Sequence, residues 1–446
     1  MGEGAQGRIG ELVVETLAAG GPGVGRWEGR ACFVPGAAPG DRLRVRVRRD
    51  RGRWLEAESL ELLAPGPARV DPPCPVAGDC GGCQWQHVAA EVQREARAAI
   101  VREALRRIGG LDDPPAPAFA GGGPEFGYRR RAVYHGEAGP GGIRVGFHGA
   151  GSHRIVEHER CLLLEAPLAD ALGGLRERLD RPLRAAGRFT LEATLLAGPA
   201  LQVLVRAEVP LARALAGALD GWAAPGMAAT HLSVRAAGGG GTLREAPGAP
   251  FLLEDDEFSA PGGGGLRCAW WTRPGEFVQA NRHANRRLVE DLLALAAPRP
   301  ESWVLDLFCG AGNFSLPLAA AGARVLGVEE RAVSVRSARK AARELGLARA
   351  RFRAGAAGDV LADLVAADRR YDLVVLDPPR RGAPELAARL DALGRPRLLA
   401  VSCHPAAFAR DLAPWRRAGY ALRELRLYDF FPQTAHVELL ADLAPA

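Results

Sequence analysis

The stretch VLDLFCGAGNFSLPLA, residues 304–319, is the most informative in the chain about its architecture. It begins as a short apolar run broken only by Asp306, which reads as a buried strand ending at Leu307. A tight turn carrying Gly310 and Gly312 follows and leads into a helix; glycines there let the backbone approach a ligand closely. The same texture continues through WVLDLF, ARVLGVEE, ARFRAG, YDLVVLD, RLLAVSC, YALRELRLYDF and HVELLADL, buried runs separated by helical ones. From Trp303 onward this predicts a doubly wound α/β domain with a mostly parallel sheet, a fold that binds ligands at the carboxyl ends of its strands.

Those strand ends carry chemistry. LGVEE places Glu329 where an acid accepts hydrogen bonds from ribose hydroxyls. A dinucleotide site prefers a third small residue where Ser315 stands and rarely has an acid such as Asp306 before the turn. S-adenosylmethionine is therefore favoured over a nicotinamide cofactor. A glycine turn that merely packs helix on strand is the alternative, and two further strand ends speak against it. LDPPRRG puts Asp377 and two prolines at one carboxyl end, and SCHP puts Cys403 at the next, so both side chains are expected to face one crevice.

At 446 residues and 48% hydrophobic content the chain is long enough for two or three domains with real cores. Neither a cleavable N-terminal signal nor an uninterrupted apolar run of about 18 residues is seen, so a soluble, cytoplasmic protein is expected. The net charge is only +6, which makes the placement of arginines more informative than their number. Residues 7–64 read as short strands between glycine and proline turns, a small barrel. In RLRVRVR, Arg42, Arg44, Arg46 and Arg48 share one face, and with Arg49, Arg51 and Arg53 they suggest a polyanion footprint. FGYRRRAVYH, residues 126–135, mixes aromatic and guanidinium groups suited to unstacked bases, although a strand with core aromatics and solvated arginines reads equally well.

Eight cysteines in an intracellular chain of this size point to a metal or cluster where they group, as Cys74, Cys80 and Cys83 do in a glycine-containing loop. Four thiolates can hold zinc or an iron–sulfur cluster. Cys32, Cys268 and Cys309 have no partners by spacing and read as packing residues. An amphipathic helix closed by glycines, AAEVQREARAAIVREALRRIGG, follows the loop. The glycine runs at 121–123, 238–241 and 262–265 read as loops.

Taken in order, the barrel, C-x5-C-x2-C with a distant fourth cysteine, FVQANRHAN, DLFCGAGNFSLPLA, LDPPRRG, SCHPAAFARDL and FPQTAHVELL resemble the RNA uracil-5 methyltransferases. The resemblance covers nearly the whole chain and is to the branch with an N-terminal TRAM domain and an iron–sulfur cluster. It implies a TRAM-like OB barrel over residues 1–66, a central α+β domain over 67–290 with the cluster and an RNA-contacting surface, and a Rossmann-like catalytic domain over 291–446. It makes Cys403 the nucleophile and Glu438 the base. Gln279, Phe308, Asn313, Glu329 and Asp377 become cofactor contacts, and Cys74, Cys80, Cys83 and Cys161 become ligands of a [4Fe–4S] cluster. The implied substrate is RNA, ribosomal (23S) in preference to the transfer RNA T-loop, with no membrane, no obligate protein partner and a monomeric enzyme.

The chemistry independently asks for these residue types. Carbon 5 of uracil is a poor nucleophile until a thiolate adds to carbon 6, and the proton left on carbon 5 after methylation needs a carboxylate to remove it. The start of the helix near Pro405 is expected to lower the Cys403 pKa. A noncatalytic iron–sulfur RNA-binding protein and a cytosine-5 methyltransferase are the rival readings. The chain departs from the family pattern at His404 and Arg130, where asparagine is usual. It also departs at Asp359, three positions later than the acid that commonly follows the third strand.

Overall fold

The computed structural model describes residues 5–207, 215, 217–236, 251–259 and 263–446; the glycine run 238–241 and Gly262 lie outside these. The chain divides into two compact units. One comprises residues 1–103, 147–158 and 431–437, the other 104–146, 159–430 and 438–446.

In the first unit a closed barrel is ordered Ile9–Leu17, Gly23–Trp27, Arg30–Val34, Trp54–Ala64, Arg42–Asp50. Alternation decides its inside: Leu12, Val14, Val34, Leu43, Val45, Val47 and Leu55 fill the core while their neighbours face out. Buried Asp41 secures the loop before the fourth strand, accepting from Ala38 N–H at 2.7 Å, Gly66 N–H at 2.9 Å and the Arg69 guanidinium at 2.6 Å. The outward arginines are not a bare cationic face. Arg44 pairs with Glu61 (2.7 Å), Arg46 and Arg48 with Glu58 (3.2 and 3.4 Å), and Arg49 and Arg51 with Glu56 (3.3 Å each). The strand register places an acidic strand alongside a basic one, so the expected polyanion footprint becomes a surface of mixed sign. Exposed pairs of this kind add little stability.

The second unit holds the predicted α/β domain. Its sheet runs Ala350–Ala354, Arg324–Glu329, Trp303–Leu307, Leu373–Leu376, Arg397–Ser402, Glu438–Pro445, Tyr420–Tyr428, Ala118–Gly121. Pairing is parallel except on both sides of Glu438–Pro445. Strand order reverses between Trp303–Leu307 and Leu373–Leu376, the switch point at which such sheets open a crevice. The central strands are apolar on both faces because helices cover both: Val304, Leu305, Leu307, Val374, Val375, Leu398 and Leu399 are all buried.

A second sheet in this unit contains Ala229–Ala236, Ala200–Ala207, Arg188–Leu196 and Arg131–Gly139 in that order. It settles the reading of FGYRRRAVYH. Tyr128 and Tyr134 are fully buried, and Arg130 is 2% exposed. The Arg130 side chain is paired with Glu254 at 2.9 Å, and Arg131 is paired with Glu192 at 3.0 Å. These groups hold strands together and do not present a base-stacking surface.

Candidate active site

Parallel strands deliver their carboxyl ends to one edge of a sheet, and an antiparallel neighbour delivers its amino end there. Phe308, Glu329, Asp377 and Cys403 follow or end parallel strands, and Glu438 opens the antiparallel one. The register pairs Ser402 with Leu439, so the next step sets Cys403 opposite Glu438. These two residues are 35 positions apart in sequence but neighbours across the sheet.

The electrostatics of this group are coupled. Burial pushes the Cys403 thiol up to about 11, and the nearby Glu438 and Asp377 carboxylates add to that push while Arg380 opposes it. Glu438, 9% exposed, is held well above the usual carboxylate range by burial and by Asp377, again opposed by Arg380. Asp377 is raised to about 7 by burial. The helix Pro405–Arg417 does begin two residues after Cys403, yet the thiol is raised and not lowered as expected. Desolvation and two carboxylates outweigh one helix terminus.

The neighbouring turn is built to receive a ligand. Phe308 adopts φ of +66°, a left-handed conformation that costs a non-glycine residue about 1 kcal/mol or more. Gly310 follows with φ of +55°, and a Cβ there would point into open space, leaving its backbone accessible. Glu329 turns its carboxylate onto this loop, accepting from Gly310 N–H at 3.2 Å and Arg331 N–H at 2.9 Å. Asn313 exchanges two amide hydrogen bonds with Asn285 (2.9 and 3.0 Å), which ties the turn to the helix Arg282–Ala296. Gln279, just before that helix, has its carbonyl held by Arg130 Nε at 3.0 Å. A nucleoside with vicinal hydroxyls and a charged tail suits this edge: a backbone cradle, a ribose-type acceptor in Glu329 and a second acid in Asp377.

Asp306 lies beneath the turn with no exposure, its Oδ2 accepting from Ser315 Oγ at 2.5 Å while Oδ1 has no partner. Burial raises it to about 7, with Asp377 and Glu329 adding to the effect. A folded-state pKa above the ordinary value means that the protonated carboxyl's contribution is complete below about pH 4 and lost as pH rises through about 7. Asp306→Asn is therefore expected to be more stable than wild type at pH 8 by roughly 2–4 kcal/mol, and the gain should shrink toward pH 4. Denaturation at the two pH values checks this.

His404 caps the helix that follows the candidate nucleophile. Its Nδ1 accepts from Ala407 N–H at 3.1 Å, and its own N–H donates to Ser402 Oγ at 3.2 Å. Asparagine, the residue expected here, caps helices by the same means, so the departure preserves the helix cap. His404→Asn should leave stability unchanged, whereas His404→Ala should cost about 0.5–2 kcal/mol in denaturant unfolding. Asp359 stands exposed in the first turn of the helix Ala357–Ala366, where a carboxylate complements the helix terminus.

Cys74, Cys80 and Cys83 are half-buried in the first unit. Gly82 N–H donates to Cys80 Sγ at 3.4 Å and Gln86 Nε2 to Cys83 Sγ at 3.1 Å, while Gln86 Oε1 accepts from Cys74 N–H at 3.3 Å. Donors aimed at sulfur suit thiolate ligands. Cys161, also half-buried, belongs to the second unit. Among the described residues no three His, Cys, Asp or Glu side chains are grouped to hold a metal ion. Cys32, Cys268 and Cys309 are buried, as packing residues should be.

Comparison with known proteins gives the chain its family. Residues 267–442 match the family described as tRNA (Uracil-5-)-methyltransferase, and residues 5–60 match the TRAM domain. Over 96% of its length the chain is 37% identical to the 23S rRNA (uracil(1939)-C(5))-methyltransferase RlmD of Pseudomonas aeruginosa, covering 93% of that protein. The chain belongs to the RNA uracil-5 methyltransferase family. An uncharacterized RNA methyltransferase of Thermosynechococcus vestitus is also 37% identical, over 98% of both chains. Among solved structures, the Pyrococcus abyssi tRNA (uracil-54, C5)-methyltransferase in complex with S-adenosyl-L-homocysteine shares the fold, with a TM-score of 0.70 and 24% identity over 97% of this chain and 99% of that one.

One residue beside Cys403 in this uracil-5 methyltransferase escaped the sequence reading. Arg380 stood in LDPPRRG, but only the strand pairing brings its charge to Cys403 and Glu438. Phe277, which opens FVQANRHAN shortly after a Pro-Gly turn, stands 69% exposed.

Proposed function

We propose that this RNA uracil-5 methyltransferase acts on 23S ribosomal RNA through a covalent adduct on Cys403. What carries the reading is the placement of Cys403 opposite Glu438 beside Asp377 and Arg380 at one sheet edge. The Cys403 thiolate adds to carbon 6 of uracil, and the electrons of the 5,6 double bond move toward oxygen 4, making carbon 5 nucleophilic. Bound S-adenosylmethionine would supply an electrophilic methyl group, which carbon 5 accepts as the methyl–sulfur bond breaks and S-adenosylhomocysteine is left. Glu438 then takes the carbon-5 proton, the double bond re-forms and the Cys403 thiolate leaves. Arg380 favours the ionised forms of both residues, which the surrounding burial opposes.

Gln279, Phe308, Glu329 and Asp377 hold the cofactor in this reading, with Asn313 fixing the loop that carries it. Phe277, exposed at the tip of the Gln279 segment, offers its ring to the unstacked base. The preference for ribosomal over transfer RNA rests on the 37% identity to the Pseudomonas aeruginosa 23S enzyme. Incubation with labelled S-adenosylmethionine and unmodified transcripts tests it: 5-methyluridine is expected in a 23S fragment, and label confined to the transfer RNA T-loop would reassign the substrate.

The proposal includes a [4Fe–4S] cluster on Cys74, Cys80, Cys83 and Cys161, supported by the N–H donors aimed at Cys80 and Cys83 and by the family pattern. No step of the reaction consumes an electron, so the cluster has a structural or RNA-shaping role. Anaerobically purified protein should absorb visible light; a colourless protein with stoichiometric zinc rejects the cluster. The enzyme is proposed to be a cytoplasmic monomer with domain divisions near residues 66 and 290.

A further inference from the structure

We infer that Glu276 is a positioning residue that latches the Phe277–Gln279 segment onto the methyltransferase domain. This rests on the reading that Gln279 contacts the cofactor and Phe277 the base.

A carboxylate so placed is unusual. Glu276 is 4% exposed although it lies outside the strands and helices, between Gly265–Thr272 and Arg282–Ala296. Its Oε2 accepts from Arg273 N–H at 2.5 Å, closing the turn Arg273–Glu276, which Glu276 N–H also closes onto Arg273 O at 3.0 Å. The same oxygen accepts from Ser337 Oγ at 3.1 Å. Ser337, 1% exposed, lies on the helix Ala332–Glu344, which follows the strand ending in Glu329. Arg331 links the two acids: its N–H donates to Glu329 at 2.9 Å, and its charge acts on Glu276.

The far end of the segment is held as firmly. Arg130 N–H donates to Ala280 O at 2.9 Å and Arg130 Nε to Gln279 O at 3.0 Å, with the guanidinium fixed by Glu254. Asn281 donates to Phe430 O at 3.1 Å and accepts from Ala284 N–H at 3.0 Å, capping the next helix. Between two buried anchors, Phe277 remains 69% exposed. A short rigid segment with one protruding ring fixes where that ring and the Gln279 amide stand relative to Glu329. A displacement of such a segment by about 1 Å can cost on the order of 100-fold in rate.

Three variants of the full chain test this: Glu276→Ala, Glu276→Gln and Ser337→Ala. Calorimetric affinity for S-adenosylhomocysteine, the rate of covalent-complex formation with 5-fluorouridine RNA, and melting temperature are measured for each. Glu276→Ala should weaken the affinity and slow the complex by about tenfold or more. Glu276→Gln, whose amide can still accept from Arg273 N–H and hydrogen-bond Ser337, should restore both. Ser337→Ala should show a smaller loss of the same sign without a matching fall in melting temperature, and it decides the matter if Glu276→Ala does not fold. Affinity and rate equal to wild type in Glu276→Ala, or in Ser337→Ala when that variant decides, would overturn the latch. A wild-type protein that forms no covalent complex would instead refute the nucleophile, while the affinity series would still judge the latch.

Discussion

Cys403→Ala is expected to abolish methyl transfer to RNA, lowering turnover by about 10⁴-fold or more, while leaving the affinity for S-adenosylhomocysteine unchanged. The split follows from where the residues stand. Cys403 follows the strand Arg397–Ser402, whereas Glu329 and the Phe308–Gly312 turn follow strands on the other side of the switch point. Loss of the thiol removes carbon-6 addition, and the neighbouring Asp377 and Glu438 do not replace it, since a carboxylate is a far weaker nucleophile than a thiolate. The wild-type pH profile carries a matching signature. With the thiol held up near about 11 in the free site, kcat/KM should climb with pH through the alkaline range, because the reactive thiolate fraction increases. A flat alkaline limb would show that substrate entry ionises the thiol fully, or that another group attacks.

Glu438→Gln is expected to stall the reaction after methyl transfer. General bases contribute roughly 10²–10⁴-fold, and here the base also controls release of the nucleophile. The variant should therefore accumulate a covalent protein–RNA species with ordinary uridine RNA, visible as a retarded band that survives denaturation, with its mass increased by the methylated RNA. The effect is distinct from that of Cys403→Ala, which loses the adduct altogether. Because glutamine matches glutamate in size, the strand Glu438–Pro445 and its register with Ser402 should be preserved. Unimpaired turnover in Glu438→Gln would assign proton removal to another group, Asp377 being the nearest in charge.

Much of this site could be seen in the sequence because its residues sit at the ends of strongly apolar runs. LVVL and LLAVS are buried on both faces, and the residue that follows each run is polar or reactive, so Asp377 and Cys403 stood out without knowledge of strand order. Glu438 was harder, since an acid opening an apolar strand acquires meaning only when the register sets it opposite Cys403. What could not be read was set by pairing across the sheet or the core. The barrel strand Gly23–Trp27 is hidden by its glycines. The arginines of Arg42–Asp50 meet Glu56, Glu58 and Glu61 only through the register with Trp54–Ala64. Tyr128 and Tyr134 are buried by strands far away in sequence, and Arg130 finds Glu254 more than a hundred positions downstream. The raised thiol pKa belongs to the same class: a helix start is a local feature, but two carboxylates from other strands are not.

In the proposed reaction Cys403 bonds to carbon 6 of a uridine in RNA. The most direct measurement is incubation of the wild-type protein with S-adenosylmethionine and RNA carrying 5-fluorouridine at the target position, followed by digestion and mass spectrometry of the cross-linked peptide. Fluorine at carbon 5 leaves no proton for Glu438 to remove, so the adduct should persist and map to Cys403. An adduct that survives Cys403→Ala, or catalytically active protein that yields none, would contradict the claim.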